Sequence, residues 1–275
     1  ALSSLGIVFK GPEGIVLAVD SRVTLTGQMP GPTPSQTMIL PATYDTATKL
    51  LRVKGQDFVG AITYGLGALG QREFRTAHSL MPELERELEG SKRLSVEDFA
   101  RKLSDFFVRQ WTTRMPKDYQ GPDIVFLVGG YDEDAPYGRV FEVDVPSKPK
   151  PREWSANTFG VTWGGQRQFT DRIVQGFDDK LPSIVRMFLN LTEEQTAKLR
   201  DHLKTQLSIG IPYPFLPLQD CVDLAVFLVR TTITIQSWIV GVRGVGGAID
   251  VATITRTEGF KPIQQKTITG GVPRV

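Results

Sequence analysis

Cysteine and histidine, which carry much of the chemistry of enzyme sites, are scarce in this 275-residue sequence. Its one cysteine, Cys221, excludes an intrachain disulfide and is compatible with a reducing compartment. Cys221 lies in an apolar-periodic stretch, which favours a buried thiol over a nucleophile. The two histidines, His78 and His202, are far apart in sequence, so neither a metal site nor a Ser-His-Asp triad is expected from them.

An excess of charge of one sign and long apolar runs are also missing. The 32 basic and 30 acidic residues leave a net charge of +2, so the chain has no basic footprint for nucleic acid. No run approaches the roughly 18 consecutive apolar residues of a membrane helix. The first residues lack a basic region followed by an apolar block, so no secretion signal is expected. We therefore expect a cytoplasmic protein with neither a nucleic-acid partner nor a membrane segment.

The first part of the chain has the pattern of β-structure. Two strand-like runs at residues 5–10 and 15–20 flank "GPEG", which is typical of a hairpin. Residues 27–46 are rich in Pro, Gly and Thr, which predicts an irregular surface excursion. A second hairpin is predicted to turn at Lys54–Asp57. These first sixty-odd residues are expected to form one antiparallel sheet.

Helical and strand signals then alternate. Residues 66–90, interrupted by Pro82, and residues 95–111, with Ser95 as N-cap, predict two helices. Residues 231–240, "TTITIQSWIV", alternate like a strand. The order β, α-pair, β, α-pair, β favours an α+β fold, a four-layer α/β/β/α sandwich that forms a single domain over residues 1–275. For the rest of the chain the patterns predict three strands, at 123–134, 138–146 and 156–165, followed by helix at 168–208 with capping-box spacing from Thr192 to Gln195. A loop at 209–217, a helix at 218–230 and a last strand at 248–255 are predicted to follow.

Taken singly, the polar motifs of the sequence have ordinary structural explanations. Asp20-Ser21-Arg22 ends an apolar strand and is compatible with a surface pair. Lys49 opens another strand, where a lysine often extends its amine to solvent. Gly65 lies at a strand-to-helix turn, a common place for glycine. The glycines of "GVGGAID" precede a strand, so they do not form a dinucleotide-binding motif.

Taken in order, these segments resemble a known family. "LGIVFK", "IVLAVDSRVT", "KLLRV", "VGAITYGLGA", "DIVFLVGGYDED", "LPLQDCVDLAVFLV" and "GGAIDVATIT" resemble a β-type proteasome subunit, of bacterial or archaeal type, in the N-terminal-nucleophile (Ntn) hydrolase superfamily. The resemblance spans most of the chain. It implies a helical insertion at about residues 170–215, and it implies helix rather than strand at residues 231–240.

The resemblance also implies a chemistry. Such an enzyme cuts peptide bonds with the hydroxyl of its first residue, whose α-amino group acts as the base. Lys49 matches the lysine that lowers the pKa of this amine, Asp20 the carboxylate that holds the lysine, and Arg22 the arginine two residues further on. Gly65 matches the glycine whose N–H stabilises the oxyanion, a donor whose loss costs about 2.7–4 kcal/mol of barrier. Neither a metal nor an organic cofactor is implied.

The sequence departs from the family at two places. Val242 and Val245 stand where an Asp and a Ser usually support the N-terminus. Ala1 stands at or next to the nucleophile position and has no hydroxyl. Ala1 is explained by replacement of a Thr, Ser or Cys, by a naturally non-catalytic subunit, or by further processing that exposes Ser3 or Ser4. Counting back from "LG" assigns the nucleophile's place to Leu2.

We therefore expect a threonine- or serine-type peptidase subunit in an inactive form. The alternatives are a non-catalytic scaffold subunit and an Ntn amidohydrolase or acyl transferase. The expected partners are further copies of the chain, in rings or stacks, and a polypeptide substrate, while an ATP-dependent unfoldase is left open. The loop at residues 27–48 is expected to lie near the site and to reshape its pocket.

Overall fold

The computed structural model of the chain describes residues 4–30 and 37–270, and these residues form an α+β structure with antiparallel sheets. The first sheet has five strands in the order β10-β1-β2-β11-β12. The predicted hairpin of β1 and β2 is confirmed, and Gly11 N donates to Gly14 O at 3.0 Å in its turn. The strands of this sheet are β1 (Leu5–Lys10), β2 (Ile15–Val19), β10 (Gly160–Gly165), β11 (Asp250–Thr255) and β12 (Gly259–Gln264).

A second five-stranded sheet contains the next predicted hairpin, with strand order β5-β6-β7-β8-β9. The expectation of one sheet over the first sixty-odd residues is therefore wrong, because the first hairpin and β5–β6 belong to different sheets. The two sheets face each other, so both sets of strands are apolar and their patterns look alike in sequence. The strands are β5 (Leu50–Leu51), β6 (Val59–Gly65), β7 (Ile124–Gly130), β8 (Arg139–Val145) and β9 (Lys148–Trp154).

Two strands of these sheets were not predicted. β9 is mostly exposed and contains "KPKPRE", and β12 follows the strand that was expected to be the last. Both lie at a sheet edge, where proline and charged side chains are tolerated because one side of the strand needs no ladder partner. Their sequences therefore lack the apolar alternation that marks the inner strands.

The Pro- and Thr-rich stretch at residues 27–46 was predicted as irregular, and this is wrong for most of it. β3 (Val23–Pro30) and β4 (Thr37–Tyr44) pair antiparallel as a separate two-stranded ribbon, from Val23↔Tyr44 to Pro30↔Thr37. A two-stranded ribbon leaves the outer side of each strand unpaired, so proline breaks fewer ladder bonds there than in a central strand.

Six α-helices complete the described part of the chain. Ser95 is the predicted N-cap of α2, and its Oγ accepts a hydrogen bond from Asp98 N at 3.0 Å. The helix predicted at residues 66–90 begins only at Met81, because Gly70 has a φ of +128° and Pro82 belongs to the first turn, where proline is well tolerated. The helices are α1 (Met81–Leu88), α2 (Val96–Arg114), α3 (Gln168–Val174), α4 (Leu181–Leu189), α5 (Glu193–Leu207) and α6 (Leu218–Gln236).

The ambiguous stretch after residue 230 continues α6 as far as Gln236, so the helix interpretation is confirmed up to that residue. Val229, Thr232 and Gln236 are all buried and lie on one helical face. Packing of this face against the first sheet outweighs the β-propensity of the Thr and Ile residues. Cys221 is buried on the same helix, as predicted.

In the described part of the chain, buried apolar side chains form three clusters. One lies between the sheets and includes Leu17, Ile62 and Leu127. A second packs α1 and α2 onto the second sheet, and a third packs α3 and α6 onto the first. Within the described residues, no helix is both long and apolar enough to cross a membrane.

α4 and α5 stand apart from these clusters. Thr192 and Gln195 form the predicted capping box at the start of α5. α5, which is described throughout, has no buried residue, and Pro182 is the one buried residue of α4. These helices fall within residues 170–215, and the insertion there stays a prediction.

Candidate functional site

Ser4 lies directly before β1 and has a conformation that serine rarely adopts. Its φ is +107°, and the residue is only 2% exposed. Its amide N donates to Gly244 O at 2.9 Å, and its carbonyl accepts from Gln166 N at 2.8 Å. Both backbone groups of Ser4 are therefore held, and its side chain is directed to a third partner.

That partner is Lys49, which precedes β5. Lys49 Nζ donates to Ser4 Oγ, to the carbonyl of Arg22 and, at 3.1 Å, to Asp20 Oδ1. The three acceptors use all three N–H bonds of an ammonium group. Burial lowers the pKa of Lys49, and the charge of Asp20 counteracts this effect. A lysine of lowered pKa therefore touches a serine hydroxyl, a geometry that can stabilise an alkoxide or transfer a proton.

Asp20 holds this arrangement together from the end of β2. Its side chain is fully buried. Besides Lys49 it accepts backbone N–H bonds from Leu5 at 3.0 Å, from Arg22 at 3.1 Å and from Gly246 at 3.0 Å. One carboxylate thus joins the start of β1, the chain after β2 and the loop before β11.

Arg22 contacts the lysine through its backbone and not through its guanidinium. The guanidinium binds Asp45, with Nε–Oδ1 at 2.6 Å and Nη2–Oδ2 at 2.8 Å, and these hydrogen bonds raise the pKa of Arg22. It also lies against Gly246, where a Cβ would be 2.5 Å from Cζ of Arg22. Arg22 therefore anchors the glycine loop, and its carbonyl helps to orient Lys49.

A small pocket opens beside Ser4 and Lys49. Gly65, the last residue of β6, lines it with a φ of +88°, and a Cβ there would be 2.3 Å from the carbonyl oxygen of Asp123. Among the described lining residues, Lys49 carries the one charged side chain. The lining comprises Ser4, Val23, Ala47, Thr48, Lys49, Thr63, Tyr64, Gly65, Leu66, Gly67, Thr76, Ala77 and Ile124.

The structure thus brings Asp20, Lys49 and Gly65 together, with Arg22 contributing its carbonyl, and the catalytic roles expected of them stay predictions. Ala1, the expected nucleophile position, lies outside the described residues, as do Leu2 and Ser3. The loop at residues 27–48 is expected to reshape the pocket, and Ala47 and Thr48 do line the pocket. Most other side chains of this loop lie outside the described ones, so the expected effect stays a prediction. Sequence reasoning ranked Ser4 behind Ala1, and a serine directly before "LG" was the available signal.

Two glutamines near Ser4 were missed by sequence reasoning. Gln236 Oε1 accepts from Val245 N at 3.0 Å, and its Nε2 donates to Gln166 Oε1. Val245, one of the two noted departures from the family, is therefore held by an amide from α6 through its backbone N–H. Neither glutamine stands in a recognisable motif, so only the fold identifies them.

In the described residues, no three His, Cys, Asp or Glu side chains lie close enough together to hold a metal ion. Burial raises the pKa of Cys221 to about 11, which keeps this thiol protonated at neutral pH. His78 and His202 are absent from the described lining of the pocket.

Comparisons with known proteins give a match in structure alone. No family model matches the chain, and no curated protein matches it in sequence. Among the solved structures of similar fold is the helical assembly of the Anbu complex from Pseudomonas aeruginosa. It matches with a TM-score of 0.55 and 13% identity, over 94% of this chain and 84% of that one. At this identity the likeness establishes a shared fold.

Proposed function

We propose that the chain is a proteasome-like subunit of the Ntn hydrolase type, with the four-layer α/β/β/α arrangement. Two observations support this arrangement: apolar clusters fill the space between the sheets and on both outer faces, and the fold is similar to that of the Anbu complex. The proposed activity is serine-type peptide-bond hydrolysis. The contact between Lys49 Nζ and Ser4 Oγ is the observation that carries it.

In this proposal the nucleophile is Ser4 and not Ala1. Ser4 Oγ attacks the carbonyl carbon of Ser3, and the Ser3–Ser4 peptide bond breaks to give an ester on Oγ and a free amine on Ser4. Water then hydrolyses the ester, which regenerates the hydroxyl and releases the segment that ends in the carboxylate of Ser3. The unusual φ of Ser4 and the hydrogen bonds on both of its backbone groups support the proposal that strain is stored at this bond.

The freed amine is the proposed base for turnover. Its pKa, ordinarily about 7.7–8.0, is lowered by the neighbouring Lys49 ammonium, so the amine is neutral more often at neutral pH. It takes the proton of Ser4 Oγ as the oxygen attacks a substrate carbonyl, and it returns the proton to the leaving amine. The acyl ester that remains on Ser4 is hydrolysed by water. The backbone N–H of Gly65 is the proposed donor to the oxyanion.

The pocket indicates which substrates suit this site. Apart from Lys49, which is engaged by three acceptors, its described lining is uncharged and largely aliphatic or small. A carboxylate or ammonium in this pocket would lose its hydration without a fitted partner. We therefore expect an uncharged side chain on the acyl side of the scissile bond.

Intact mass and N-terminal sequencing of the purified chain test the nucleophile. We expect the mature protein to start at Ser4 and to cleave fluorogenic peptides with apolar residues before the fluorophore. Ser4→Ala is expected to remain uncut and inactive. Ser3→Ala is the matched control, because it removes the neighbouring hydroxyl and leaves Ser4 intact, so it should be cut and active.

The outcomes separate the candidates. A chain that keeps the Ser3–Ser4 bond and cleaves no peptide points to the scaffold subunit. Product formed only in the presence of an added amine points to acyl transfer. Cleavage that survives in Ser4→Ala contradicts the proposed nucleophile.

Self-association is the second part of the proposal. Met187 and Phe188 of α4 are 73% and 83% exposed, beside the exposed Ile184 and Leu189. Such an apolar patch is typical of a protein–protein contact, and the similar Anbu complex is a helical assembly. A second copy of the chain is the proposed occupant of this α4 patch.

Sedimentation velocity tests this contact. The double variant Met187→Lys, Phe188→Lys is expected to dissociate the assembly. Ile268→Lys, at another exposed apolar residue, is expected to leave it intact. Equal sedimentation of all three proteins would exclude the α4 patch as the interface.

A further inference from the structure

Two segments hold Ser4, one on each of its backbone groups. Gln166, which follows β10, donates its backbone N–H to the Ser4 carbonyl at 2.8 Å. Gly244, in the loop before β11, accepts from Ser4 N at 2.9 Å. The two segments are about 80 residues apart in the chain, so a further contact is needed to fix their positions relative to each other.

The side chain of Gln236 joins the two segments. It is 2% exposed at the last position of α6. Its Oε1 accepts from Val245 N, directly after Gly244, at 3.0 Å, while its Nε2 donates to Gln166 Oε1. One buried amide thus fastens both segments that hold Ser4 to the end of a helix that is itself anchored in the core.

An amide is suited to this position because it donates and accepts at once. A methionine would fill the same volume but would make neither bond, so Val245 N–H and Gln166 Oε1 would each lose the hydrogen bond that they make with Gln236. A glutamate would keep the acceptor for Val245 and would need rotation of the Gln166 amide to present its N–H. The conservative change is therefore expected to preserve more of the arrangement than the apolar one.

We propose that Gln166 and Gln236 are positioning residues that orient Ser4 Oγ toward Lys49 and the pocket, an inference that rests on the proposed function. They act through the backbone of Ser4, and neither is among the described residues that line the pocket. Their loss should therefore change the rate of the chemical step and leave substrate binding nearly unchanged.

The test compares Gln236→Met with Gln56→Met. Gln56 is a matched control: it is 3% exposed and also uses both ends of its amide, with Nε2 donating to Lys92 O at 3.1 Å and Oε1 accepting from Leu94 N at 2.9 Å. Both variants lose a buried amide and should lose similar stability in urea. We expect kcat to fall 10- to 100-fold in Gln236→Met alone, with KM within twofold, because small misplacements of a reacting group cost this much.

Rescue and a readout independent of activity complete the test. Gln236→Glu should recover at least part of the lost kcat. Hydrogen exchange at Gln166 N–H, which bonds to Ser4, should accelerate in Gln236→Met and stay slow in Gln56→Met. Unchanged exchange in Gln236→Met, or an equal loss of kcat in both variants, would overturn the positioning role.

If the unmodified protein cleaves no peptide, the proposed function fails, and the exchange result still decides the inference. Faster exchange in Gln236→Met alone then supports the positioning role in a non-catalytic site. Exchange that is the same in both variants overturns it.

Discussion

Asp20→Asn is expected to cause a large loss of stability, because four hydrogen bonds end on the buried Asp20 carboxylate. Asp20 Oδ1 accepts from Leu5 N and Lys49 Nζ, and Oδ2 accepts from two further backbone N–H groups. Asparagine has the same shape but replaces one of these oxygens by an NH₂ group. Whichever oxygen is replaced, the two N–H groups that bonded to it then point at an NH₂ group, which cannot accept a hydrogen bond, in a site that water does not reach.

The size of the effect follows from these contacts. A buried polar group that loses its partner costs about 1–3 kcal/mol, so two such groups cost about 2–6 kcal/mol. Breaking a buried ion pair on one side costs about 3–5 kcal/mol. The two estimates cannot be added, because the loss of the Lys49 contact is counted in both. Lys49 can also reduce the cost by releasing its proton, since burial already lowers its pKa. We expect a loss of about 3–5 kcal/mol in the free energy of unfolding.

Urea denaturation followed by fluorescence of the four tryptophans and by circular dichroism measures this loss. Asp98→Asn is the control, because Asp98 also pairs with an arginine, Arg101, but both side chains are about half exposed. It should cost less than about 1 kcal/mol, as exposed ion pairs do. A loss in Asp20→Asn no larger than in Asp98→Asn, with equal denaturant dependence, would refute the bonding assigned to Asp20.

Two further predictions concern Cys221 and Gly65. Burial raises the pKa of Cys221 from 9.0 to about 11, so above pH 9 the unfolded chain releases a proton that the folded chain keeps. The free energy of unfolding should therefore fall by about 2 kcal/mol more between pH 8 and 10.5 in the unmodified protein than in Cys221→Ala. Equal pH dependence in urea titrations would contradict this. Gly65 and Gly55 have φ values of +88° and +87°, but a Cβ at Gly65 would lie 2.3 Å from the carbonyl oxygen of Asp123, whereas Gly55 has open space. Both alanine variants should lose about 1–2 kcal/mol from the left-handed conformation. Gly65→Ala should lose a further 1–3 kcal/mol, roughly, from overpacking, and thermal unfolding that is the same for both would argue against that contact.

Local patterns were sufficient for the elements whose residues carry their own signal. The hairpin of β1 and β2, the N-cap at Ser95 and the capping box of Thr192 and Gln195 were all predicted. In each case the information lies within a few residues of the element. β9 and β12 were missed because edge strands are stabilised by a neighbour and need no apolar pattern of their own.

The division of strands between sheets could not be derived from periodicity. β2 and β6 are both short, apolar and fully buried, yet they belong to different sheets. A strand that is covered on both faces has no polar side to show which neighbour it faces. Hydrogen bonding between strands far apart in sequence decides which sheet each strand joins. In the same way, packing against the first sheet decides that the end of α6 is helical.

The sequence by itself determined which residue types were available to the site, and the order of its segments led to Asp20, Lys49 and Gly65. The tertiary structure decided which residue meets the lysine. Counting along the chain gives Leu2 as the nucleophile position, which lies outside the described residues, and that count stays a prediction. The pairing of β1, with Leu5 opposite Gly165 and Gly6 opposite Val19, places Ser4 against Lys49. The physical reason is that sheet register, and not distance from a chain end, sets where a side chain lies. The contact of Ser4 with Lys49 and the amide of Gln236 exist only after segments far apart in sequence have packed together.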